Sequence, residues 1–107
     1  MAHKNKIKKL IRDGKVGVLI SEGYGAGWST WNAEHGDEVV FAPEIIELVE
    51  RNASFDEIEA KAIELWGDDF FCDGIGELTV VWIPKNTKFA ITDYDGAESI
   101  ITEFLEA

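Results

Sequence analysis

The spacing of apolar positions changes character several times along the chain. Ile7, Leu10 and Ile11 recur at i, i+3 and i+4 within residues 4–12, and Gly14 follows where a helix C′ residue would stand. This predicts a short amphipathic opening helix with a basic outer face. Lys15 to Ser21 is a nearly unbroken β-branched apolar run, which predicts a buried strand. Residues 22–32 then break every period and read as a loop or irregular strand. Val39 to Phe41 suits a short strand ahead of Pro43, whose fixed φ fits the first turn of a helix running to about Arg51. Ser54 and Glu57 have the spacing of a capping box, and Phe55, Ile58, Ala62, Leu65 and Trp66 follow at helical intervals until Gly67.

Glu77 to Ile83 and Thr87 to Asp93 are rich in β-branched and aromatic residues, with Pro84, Lys85 and Asn86 between them as turn chemistry. They predict an antiparallel hairpin. After an Asp95–Gly96 turn, Ile100, Ile101, Phe104 and Leu105 fit either a last helix or a strand, and the helix is preferred. The expected fold is a single α+β domain over residues 1–107: a small mixed or antiparallel sheet, with a β-hairpin in the C-terminal half, packed against about three helices. A hydrophobic fraction of 46% with four tryptophans supports one continuous core rather than disorder.

Charge alters this picture more than composition does. The net charge of −11 is split into +5 over residues 1–15 and −16 over residues 16–107. Such a field repels nucleic acid directly and attracts basic surfaces, although acidity also serves plain solubility. No apolar run approaches the length of a membrane span, and no signal-peptide pattern follows the basic start, so a cytoplasmic protein is expected. Cys72 is the only cysteine, which excludes an internal disulfide and cysteine-rich zinc sites and reads as a buried thiol.

The least ordinary segment is Gly23-Tyr24-Gly25-Ala26-Gly27-Trp28-Ser29-Thr30-Trp31-Asn32. Tyr24, Trp28 and Trp31 offer flat faces for a planar, nucleotide-like ligand, with Ser29, Thr30 and Asn32 as polar anchors; alternatively the tryptophans plug the core. The segment lacks the third glycine of a dinucleotide fingerprint and the Gly-Lys-Ser/Thr ending of a phosphate loop. Asp68, Asp69, Asp73, Glu77, Asp93 and Asp95 form the candidate acidic partner surface. Their spacing matches no calcium loop, so neither a metal nor another cofactor is expected. Only His3 and His35 could act as neutral-range bases. His35 lies in a polar stretch and reads as a surface residue, so no catalytic residues are assigned and an enzyme is not expected.

The residues Val16 to Ser21, the glycine–aromatic segment, Val81 to Phe89 and Tyr94-Asp95-Gly96 together form a pattern that resembles small uncharacterised proteins encoded by bacteriophages and prophages. That resemblance implies a counter-defence role. One type is similar to anti-CRISPR proteins, which set an acidic surface into the nucleic-acid channel of a nuclease; the other sequesters nucleotide signals in aromatic-lined pockets, often as oligomers. The expected function is therefore non-catalytic inhibition of a host protein with a basic surface, or alternatively nucleotide-like ligand binding, with a homo-oligomer as an open option. Neither membrane nor direct nucleic-acid binding is expected.

Overall fold

The computed structural model describes residues 8–23 and 27–102. Strand β1 (Ile11–Arg12) turns through Asp13 and Gly14 into β2 (Lys15–Ser21). A loop with two single 3-10 turns, Ser29–Trp31 and Ala33–His35, leads to three helices: α1 (Asp37–Phe41), α2 (Pro43–Glu50) and α3 (Phe55–Trp66). A further 3-10 turn, Asp73–Glu77, precedes β3 (Leu78–Pro84), and the described chain closes with β4 (Phe89–Tyr94) and β5 (Ala97–Thr102). The fold is α+β, as expected.

The strands form two sheets, β1-β2-β3 and β4-β5, with every pair antiparallel. β2 is central, and both its faces are covered. On one face, Leu19 packs with Ile45, Ile46, Ile58 and Ala62 from α2 and α3. On the other, Val18 and Ile20 pack with Val40 and Phe41 of α1, while Phe89, Ile91 and Ile100 of the β4-β5 ribbon close the cluster. This two-sided burial is why β2 is apolar at consecutive rather than alternate positions. Gly17 serves the same layer differently. A Cβ there would meet the Trp82 ring at 3.2 Å and Ile46 at 3.0 Å, so its bareness lets the indole lie across β2.

Four expectations are corrected. The opening helix is replaced, over its described part, by β1; residues 4–7 lie outside the described residues. Asp13 (φ 51°) and Gly14 (φ 77°) both adopt the left-handed conformation of a two-residue hairpin turn, which reverses the chain at the point where the helix was expected to end. Val39 to Phe41 is helical. Asp37 and Glu38 stand in the first turn, where the helix dipole favours acids, and one turn distributes Val39 to the helix-side cluster and Val40 and Phe41 to the ribbon side. The hairpin partner also differs. β3 is engaged along its whole length by β2, from Lys15 opposite Pro84 to Ser21 opposite Leu78, so β4 pairs with β5 instead. The C-terminal hairpin turns at Asp95 (φ 56°) and Gly96 (φ 89°), a two-residue Asp–Gly turn matched to strand twist. Ile100 and Ile101 consequently lie in a strand rather than a helix; Phe104 and Leu105 lie outside the described residues.

Both longer helices stand where the sequence places them. Pro43 opens α2, and α3 has a complete capping box: Ser54 Oγ accepts from Glu57 N at 3.2 Å, and Glu57 Oε1 accepts from Ser54 N at 3.3 Å.

Candidate functional site

The described residues 27–32 of the glycine–aromatic segment are tied to the ribbon by carboxylates. Glu98 of β5 is only 2% exposed. Its Oε1 accepts from Ser21 N at 2.9 Å, while Oε2 accepts from Trp28 N at 2.7 Å, Thr30 N at 3.0 Å and Thr30 Oγ1 at 2.6 Å. All four hydrogen bonds are donated to it, which suits an acceptor-only carboxylate and satisfies amides that have no ladder partner. The approach is close enough that a Cβ on Gly27 would fall 2.9 Å from Glu98 Oε2 and 2.5 Å from Thr30 Oγ1. Asp93, directly opposite Glu98 across the ribbon, accepts from Trp31 Nε1 at 2.8 Å and from Gly96 N at 2.7 Å. Two like charges facing each other across strands repel, and here each is compensated by its own donors.

This arrangement sorts the candidate ligand residues. Trp28 is fully buried; its Nε1 donates to Val39 O at 3.0 Å, and its ring meets Phe70 and Trp66 edge-on at 5.0 and 6.0 Å. Asn32 is 6% exposed and braces a neighbouring segment. Its Nδ2 donates to Trp28 O and Phe71 O at 2.9 and 3.0 Å, and its Oδ1 accepts from Phe71 N at 2.8 Å. Ser29 is buried, and Thr30 belongs to the Glu98 contact. Trp31 is the exception at 41% exposure, tilted 32° over Phe71 at 5.0 Å. Tyr24 lies outside the described residues. Beside Thr30, an open groove of about 450 Å³ runs between α1 and the ribbon, bordered by Lys9, Val40, Phe41, Phe89 and Ile91.

The six nominated acids are all exposed. Asp68 and Asp69 follow the end of α3, and Asp73 and Glu77 bound the 3-10 turn ahead of β3. Asp93 and Asp95 stand at the ribbon tip, where Asp93 also holds Trp31. Among the described residues the ion pairs are Arg12–Glu50, Arg51–Glu57 and Lys61–Glu64, with Glu34–His35 a fourth when the imidazole is protonated, so none of the six is neutralised by one. Among the described residues no group of three His, Cys, Asp or Glu side chains could hold a metal ion. Cys72 is buried, and burial, then Glu59, then Asp73, push its thiol above the ordinary value. His35 is half-buried rather than on the open surface, with its ring 5.7 Å from Phe70 and 6.2 Å from Trp66.

Glu98 is the residue that sequence reasoning misses. A helix over residues 97–105 would leave it one acid among many. Its signal is visible only in strand register, where it shares a face with Ile100 and therefore points inward, next to loop amides that need acceptors. No described helix is long and apolar enough to cross a membrane. No family model matches the chain, and neither a curated protein nor a solved structure is significantly similar to it.

Proposed function

We propose that this chain is a non-catalytic binding protein that presents carboxylates to a basic groove on a host protein that handles nucleic acid, acting as an inhibitor in the host cytoplasm. The observation that carries this reading is the set of six exposed acids without an ion pair among the described residues, within a segment of charge −16. A carboxylate already in an ion pair within its own molecule has less to offer a partner, whereas one without a basic neighbour keeps its charge for steering and selectivity. The internal use of Trp28, Asn32 and Thr30 supports the same reading, because it removes most of the polar and aromatic anchors a ligand pocket in this loop would need.

The experiment is capture of host proteins at low and high salt, followed by affinity measurement with the recovered partner. Reversing Asp68, Asp69 and Asp73 to lysine should weaken binding by at least about tenfold, while reversing Glu44 and Glu47 on α2 should change it about twofold or less. Binding that persists unchanged in molar salt would refute the electrostatic reading. A second reading, a planar nucleotide-like ligand, rests on Trp31, the exposed tryptophan of the loop, beside Phe71 and the Thr30 groove. It requires nucleotide-dependent quenching of tryptophan fluorescence that disappears in a folded Trp31→Ala variant.

A further inference from the structure

β3 ends its sheet, and among the described residues no further strand pairs with its outer edge. The direction of its hydrogen bonds follows from two contacts: Lys85 N donates to Gly14 O at 2.8 Å, and Glu77 O accepts from Glu22 N at 3.1 Å. Odd-numbered residues of β3 therefore face β2, and by the alternation of an antiparallel ladder Val80 and Trp82 direct both N–H and C=O outward, while Leu78 N donates instead to Ile75 O at the end of the 3-10 turn. Pro84 shares that outward position, where its missing N–H costs the sheet nothing and its carbonyl accepts from Thr87 N at 3.1 Å, so the edge open to pairing centres on Val80 and Trp82. From Leu78 to Pro84 there is no charged residue to discourage pairing. The Trp82 indole lies inward over Gly17 with the Arg12 guanidinium 4.9 Å from its ring, so it does not cap the edge.

We propose that this edge pairs with the same edge of a second copy, antiparallel about a two-fold axis at Val81, to give a continuous six-stranded sheet. Charge complementarity selects both the occupant and the register. With Val81 opposite its own counterpart, Val80 faces Trp82 as a hydrogen-bonded pair, Leu78 faces Pro84, and Glu77 at one end faces Lys85 at the other, twice by symmetry. Shifting the register by two residues keeps the backbone bonds but sets Glu77 against Ile83 and leaves Lys85 without its acid. The strand is thus self-complementary in hydrogen bonding and in charge, the condition for an isologous interface.

The test uses the whole chain and two exposed residues that take no part in the core. Sedimentation across a concentration series should show a monomer–dimer equilibrium. Glu77→Lys, which sets lysine against lysine, and Lys85→Glu, which sets glutamate against glutamate, should each weaken the dimer about tenfold. The double swap Glu77→Lys with Lys85→Glu should restore it. Circular dichroism verifies that each variant is folded. A chain that stays monomeric at all concentrations, or a dimer indifferent to the single swaps, or a double swap no better than the singles, overturns the proposal. These outcomes are independent of whether a host partner is captured.

Discussion

At the scale of single residues, Glu98 joins the most distant parts of the chain. One carboxylate receives four hydrogen bonds from Ser21, Trp28 and Thr30, from a position 2% exposed to solvent. Glu98→Gln retains the shape but turns one end of the side chain into a donor facing donors. It should lower unfolding free energy by about 3 kcal/mol, since bonds to a charged group are each worth roughly 1.5–3 kcal/mol. Asp93→Asn, at an exposed site, should cost less than about 1 kcal/mol. Urea unfolding of both variants checks this; equal losses would mean that the buried contact is not the main constraint on the loop. The two tryptophans show how far residue identity alone reaches. Trp28 and Trp31 sit in one motif and are both eligible for core or contact, yet Trp28 is fully buried and Trp31 is 41% exposed. What separates them is a helical-type turn between positions 28 and 31 and the location of α1, neither of which is written in the motif.

At the scale of elements, legibility follows how local the determinants are. α3 is readable because its cap, its periodicity and its terminating Gly67 all lie within the segment. Ser54→Ala should remove the bond that Ser54 Oγ accepts from Glu57 N, leave the backbone amide of residue 54 able to donate to Glu57 Oε1, and cost about 1 kcal/mol, seen as a lower melting temperature with helix content otherwise retained. β2 is readable for a different reason: burial on both faces leaves an apolar run too continuous for a loop and too β-branched for a helix. The failures lie where partners decide. The β4-β5 hairpin depends on β3 being occupied by β2, sixty residues away in sequence, so turn chemistry at Pro84–Asn86 misleads and that at Asp95–Gly96 decides. α1 is short enough that three consecutive apolar residues look like a strand until two separate clusters claim them.

At the scale of the molecule, three layers enclose β2 within extents of 41 × 36 × 27 Å, while the net charge is −11. Self-repulsion across such dimensions is long-ranged in dilute buffer and largely screened in salt, the screening length falling from roughly 30 Å at 0.01 M to 3 Å at 1 M. The melting temperature should therefore rise with sodium chloride, whereas binding to a basic partner should weaken over the same range. A melting temperature that falls with salt would show that attractive pairs outweigh the repulsion. The contact between residue 98 and the loop also has a temporal meaning. On the ribosome, Ser21, Trp28 and Thr30 emerge long before Glu98, so their amides are left to water rather than to this carboxylate while the helices are being made. Only when β5 is synthesised do these amides gain the Glu98 carboxylate, so a contact that fixes residues next to β2 waits for a residue translated long after them.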